Sequence, residues 1–79
     1  MLFTALIRPF KMKNKLKIAR AIKDITQEDL AKQIKVSRQS INAIETGKYV
    51  PSTVLALKLA RFFEVKVEDI FMLEEKDME

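Results

Sequence analysis

Three residues, Lys35-Val36-Ser37, are all that separate two short amphipathic segments in the middle of this chain. The first segment opens at Thr26, an N-cap residue, with Asp29 three positions on. That is a capping box with Asp in place of the usual Glu. Leu30, Ala31 and Ile34 follow as an i, i+1, i+4 stripe, which predicts a helix over Gln27–Ile34. Ser37 is the next N-cap candidate and starts a helix over residues 38–46. Gly47 is its stop signal. A turn this short forces the two helices to pack directly on one another, which defines a helix-turn-helix. Ala31 suits the crossing, where a large side chain would push the helices apart.

The flanking sequence is helical too. Residues 15–23 form a first helix, with Leu16, Ala19, Arg20 and Lys23 on one face and Ile18 and Ile22 beside it. Pro51-Ser52 opens a fourth helix over Thr53–Phe63, with Leu55, Ala56, Leu59, Ala60 and Phe63 as its core positions. Val65 and Val67 lead to a short fifth helix near residues 68–71. Helices of this length with tight connections predict a compact all-α domain. At 79 residues one domain is expected.

Composition narrows the function. The chain has no Cys, so neither a disulfide framework nor a thiolate metal site is available. It has no His, which removes the commonest general base and zinc ligand. One glycine cannot supply a phosphate-cradling loop. A binding protein is therefore expected, not an enzyme, with no cofactor, no metal and no small-molecule ligand. A 48% apolar, 33% charged composition is that of a folded chain. A domain this small buries only about 60% of its unfolded surface, so without disulfide or metal, helix idealisation or dimerisation is the expected support.

Charge is unevenly placed. Residues 1–61 carry thirteen Lys/Arg against four Asp/Glu, and residues 62–79 carry two against seven. Residues 8–23 hold seven cations and no acid. A basic body with an acidic end suits a nucleic-acid partner. Residues 1–7 are apolar apart from Thr4, but too short to span a bilayer and without the flanks of a signal peptide. No membrane partner and a cytoplasmic location are expected, and Met12 offers an alternative start. The chain divides into an N-terminal extension (1–14, with a candidate strand), a helical domain (15–72) and an acidic tail (73–79).

The third helix separates into two faces at about 100° per residue. With Arg38 as zero, Ile41 and Ile44 lie near about 300° and 240°. The opposite face holds Gln39, Asn42, Ala43 and Thr46, with Arg38 at its edge. Arg pairs with guanine, and Asn and Gln with adenine, in the major groove. Ala43 and the Thr46 methyl suit a thymine methyl. An ordinary solvated face usually carries Lys and Glu, and this one carries neither.

The run Thr26-Gln27-Glu28-Asp29-Leu30-Ala31, then Val36-Ser37-Arg38-Gln39-Ser40-Ile41, then Ile44-Glu45-Thr46-Gly47-Lys48-Tyr49, then Pro51-Ser52, resembles the Cro/C1-type (XRE) helix-turn-helix family. The layout is similar to its small, stand-alone cytolysin-repressor type. The resemblance covers about residues 15–72 and implies a five-helix, lambda-repressor-like DNA-binding domain. It implies that Arg38, Gln39 and Asn42 enter the major groove. Gln27 would bind a phosphate, with Ser37, Ser40 and Lys48 near the DNA backbone. Arg20 and Glu45 match a buried ion pair between the first and third helices. Relatives often place Gly where this chain has Asp24, Lys35 and Glu64. The resemblance also implies a two-stranded antiparallel sheet between residues 11–14 and 71–74.

The resulting expectation is a sequence-specific DNA-binding transcriptional regulator, a repressor acting as a homodimer on a double-stranded operator. Two other readings use the same fold: the antitoxin of a toxin–antitoxin pair, and a protein-interaction adaptor that docks through residues 1–10.

Overall fold

The computed structural model describes residues 12–74. Expectations for residues 1–11 and for the tail past Glu74 lie outside the described residues. In chain order the elements are β1 (Lys13–Asn14), α1 (Leu16–Lys23), α2 (Gln27–Ile34), α3 (Arg38–Glu45), α4 (Thr53–Phe63), α5 (Val67–Ile70) and β2 (Phe71–Met72). Five helices and one small antiparallel ribbon make up the expected all-α domain. The ribbon pairs Lys13 with Met72 and Asn14 with Phe71. It is shorter than the sequence suggested, and α5 ends one residue early because Phe71 turns into the strand.

Local chemistry sets the helix boundaries. Thr26 Oγ1 accepts from the Asp29 N–H at 3.0 Å, and the Thr26 N–H donates to Asp29 Oδ2 at 3.2 Å, completing the capping box. Ser37 and Ser52 cap α3 and α4 through their hydroxyls, at 3.0 Å and 3.1 Å. Three helices end on a left-handed residue: Asp24 (φ 56°), Lys35 (φ 64°) and Glu64 (φ 57°). These are the three positions where relatives often have Gly. Each side chain there costs about 1 kcal/mol relative to a conformation free of the Cβ clash. Lys35 stands inside the helix-turn-helix, and its turn keeps the expected three residues despite the strain.

Leu16, Leu30, Ile41, Ile44, Leu59 and Ile70 are fully buried, one or two from each helix. Ala31, Ile34, Ala60 and Phe71 complete the core, with Val36 and Phe63 among those packed against it. Ile18 and Ile22 do not join it, and Ile22 is 81% exposed. On α1 these two lie about 160° from Arg20, so they face outward when Leu16 and Arg20 face inward.

Candidate nucleic-acid interface

The candidate surface starts from how α3 is anchored. Ile41 and Ile44 are buried, which fixes the rotation of the helix about its axis. The opposite face is then turned outward: Arg38, Gln39, Asn42 and Thr46 are exposed, and Ala43 is half-buried. No hydrogen bond or ion pair among the described residues engages the side chains of Arg38, Gln39 or Asn42. These are the groups the sequence marked as base readers, and they stand together on one helix face. Thr46 differs. Its hydroxyl donates back to the Asn42 carbonyl at 2.9 Å, which leaves its methyl as the outward group.

Glu45 holds the other side of α3. Arg20 Nε donates to Glu45 Oε2 at 2.6 Å, and Arg20 Nη2 donates to Oε1 at 3.1 Å. Arg20 Nη1 donates to the Ile25 carbonyl at 2.9 Å. The Glu45 side chain is only 4% exposed and that of Arg20 is 15% exposed. This pair ties α1 to α3, as the family resemblance implies. A third partner was not expected: Gln27 Nε2 donates to Glu45 Oε1 at 3.1 Å, which adds α2 to the same carboxylate. Burial pushes the Glu45 carboxyl up, but the hydrogen bonds from Arg20 and Gln27 outweigh it and hold the group below its ordinary value. The Arg20 guanidinium is raised by its bond to Glu45. The carboxylate therefore stays ionised and the clamp stays charged at neutral pH.

The remaining expected contact residues flank this helix. Ser37 and Ser40 lie at its start, with their hydroxyls 2.9 Å apart. Gln27 opens α2, and one N–H of its side-chain amide is donated to Glu45. The second amide N–H and the backbone N–H in the first turn are the donors it keeps for an anion. Lys48 is exposed just past the C-terminus of α3. Its backbone N–H donates to the Ala43 carbonyl at 2.9 Å, so the helix end places it. Gly47 makes that bond reachable with φ 77°. A Cβ at Gly47 would meet nothing within 4 Å, so the left-handed backbone and not crowding favours glycine there.

One residue with a place in this arrangement was missed at the sequence level. Asn14, in β1, donates from Nδ2 to the Ile44 carbonyl at 2.9 Å. A short polar residue just before an apolar stripe signals a helix start. Nothing in the sequence signals its second bond, which spans thirty residues.

Among the described residues no group of acidic side chains is arranged to hold a metal ion, and no helix is long and apolar enough to cross a membrane.

Similarity to known proteins follows the same outline. The helix-turn-helix family matches residues 16–70, from the start of α1 to the end of α5. An uncharacterized HTH-type transcriptional regulator of Methanocaldococcus jannaschii is 62% identical over 66 residues, which is 84% of this chain and all of that one. Another, YgzD of Bacillus subtilis, is 50% identical over 66 residues, again its whole length. A crystal structure of a candidate DNA-binding protein from Bacteroides fragilis superposes with a TM-score of 0.70 at 28% identity, covering 76% of this chain and 97% of that one. With its helix order, its turn and its charged clamp in place, the chain belongs to the Cro/C1-type helix-turn-helix family, a non-enzymatic family of DNA-binding transcriptional regulators.

Proposed function

We propose that this protein is a sequence-specific repressor that binds its operator as a homodimer, with α3 of each protomer in a major groove. The observation that carries this reading is the unengaged, exposed row Arg38, Gln39 and Asn42 on a helix whose other side is locked by Ile41, Ile44 and Glu45. Side chains with no internal partner keep their donors and acceptors for base edges. Arg38, Gln39 and Asn42 read bases, and Ala43 and the Thr46 methyl meet thymine methyls. Gln27, Ser37, Ser40 and Lys48 contact phosphates, which supply affinity without sequence information.

A two-fold dimer spaces its half-sites by about one helical turn, ~34–36 Å. Bound there, the dimer would repress by excluding polymerase. The reading needs no cofactor and no small effector, and it places the protein where the DNA is, in the cytoplasm. Selection of bound sequences from a random DNA pool tests it, with sedimentation of the complex giving the stoichiometry. A palindromic motif bound by two protomers is the expected result. Enrichment of no motif would end the base-reading role, and a single half-site bound by one protomer would end the dimer.

A further inference from the structure

Asn14 joins three parts of the molecule with one side chain. Its backbone belongs to the ribbon, paired with Phe71. Its Oδ1 accepts from the Leu16 N–H at 3.2 Å, at the start of α1. Its Nδ2 donates to the Ile44 carbonyl at 2.9 Å, at the end of α3. The amide can be oriented only one way, because an N–H faces one end and a carbonyl faces the other.

The Ile44 carbonyl is one of the last of α3, and such groups have no partner within the helix. It also accepts from the Gly47 N–H at 3.1 Å. Its neighbour, the Ala43 carbonyl, accepts from Lys48. The Asn14 amide thus supports the turn that carries Gly47 and Lys48 away from the helix. The packing behind this turn is close: Asn14, Ile44, Gly47, Tyr49, Val50 and Phe71 surround a void of about 10 Å³. That is room for one water at most.

We propose that Asn14 is a positioning residue for DNA binding: through the Ile44 carbonyl it fixes the C-terminal end of α3 and the Gly47–Lys48 turn relative to the ribbon. It touches no DNA itself. The proposal rests on the DNA-binding reading for its affinity arm, and it has a second arm that needs no DNA.

The test uses Asn14→Ser. Serine keeps a short acceptor for the Leu16 N–H but does not reach the Ile44 carbonyl. The variant is expected to fold, with a melting temperature lower by about 4–8 °C, the shift that one such bond carries in a domain of this size. It should bind the selected operator about five- to tenfold more weakly, the factor that one hydrogen bond of ordinary net strength carries. The slope of log affinity against log salt should not change, because no phosphate contact is lost. In the free protein the Gly47 and Lys48 amides should exchange faster with solvent by a similar factor.

Wild-type affinity together with wild-type exchange would overturn the proposal. A salt slope reduced by about one would also overturn it, by making Asn14 a phosphate contact. If the wild-type protein selects no DNA, the functional reading fails by itself, and the exchange arm still decides the positioning role. If the serine variant does not fold, Asn14→Thr carries both arms. It keeps a hydroxyl acceptor for the Leu16 N–H on a β-branched side chain that suits the strand, adds no charge, and does not reach the Ile44 carbonyl.

Discussion

The two ends of α3 are built in opposite ways. At its start Ser37 supplies one cap, and the Arg38 and Gln39 side chains beside it are engaged by nothing in the described protein. At its end almost every polar group is engaged. Glu45 takes donors from Arg20 and Gln27, the Ile44 carbonyl takes two, and Thr46 bonds back to Asn42. A reading helix needs both properties. Side chains that will meet bases must not be satisfied internally, yet they must be held in a fixed orientation. This chain anchors the far end of α3 and leaves the side chains at its start open, so the order at Arg38 and Gln39 is inherited from contacts a turn or two away.

That contrast can be broken from the anchored end first. Glu45→Ala leaves Arg20 nearly buried without its carboxylate and is expected to lower stability by about 3–5 kcal/mol, read by urea unfolding. A loss below about 1 kcal/mol would mean that the clamp is not an anchor. The open end should be far less sensitive. Ser37→Ala removes one cap and is expected to cost about 1 kcal/mol.

Lys35 lies in the turn between α2 and α3, just ahead of the open end. It is held at φ 64°. Lys35→Gly relieves the strained backbone and is expected to raise stability by up to about 1 kcal/mol, less the entropy that glycine adds to the unfolded chain. A fall in stability would place the cost elsewhere in the turn.

The smallest effect is acid sensitivity. The Glu45 carboxyl is held below its ordinary value of 4.5, despite burial, by Arg20 and Gln27. A lowered folded-state value stabilises the protein above the unfolded value, and that stabilisation is lost as pH falls through the folded one. Stability should therefore decline below about pH 4.5, and less steeply in Glu45→Gln. Asp29 adds to the same decline, since its carboxyl is lowered by the Thr26 backbone and side chain in the capping box. An unchanged acid slope in Glu45→Gln would assign the decline to Asp29 and other carboxylates.

Much of this was legible in the sequence, for physical reasons that differ by region. Thr26, Ser37 and Ser52 announce their helices because a side-chain oxygen three residues before a free N–H is a local device. The buried face of α3 followed from Ile41 and Ile44 for the same reason, since periodicity is local. The left-handed ends at Asp24, Lys35 and Glu64 were legible only through resemblance, because Lys and Glu carry no preference for that conformation. The bonds of Gln27 and Asn14 were not legible. Each depends on how α2 or β1 lies against α3, which no short window of sequence contains. Ile18 and Ile22 stayed ambiguous because an eight-residue helix offers two apolar stripes, and only the packing of Leu16 and Arg20 selects the inner one.

If the exposed face of α3 reads sequence while the turn beyond it only holds the DNA backbone, Gln39→Ala and Lys48→Ala should part company on one randomised operator library. The expected result for Gln39→Ala is relaxed preference at a single base pair, worth about 1–3 kcal/mol. For Lys48→Ala it is an even loss across all sequences, with the salt slope reduced by about one. Unchanged preference in Gln39→Ala would remove Gln39 from the base readers, and a sequence-dependent loss in Lys48→Ala would make Lys48 one of them.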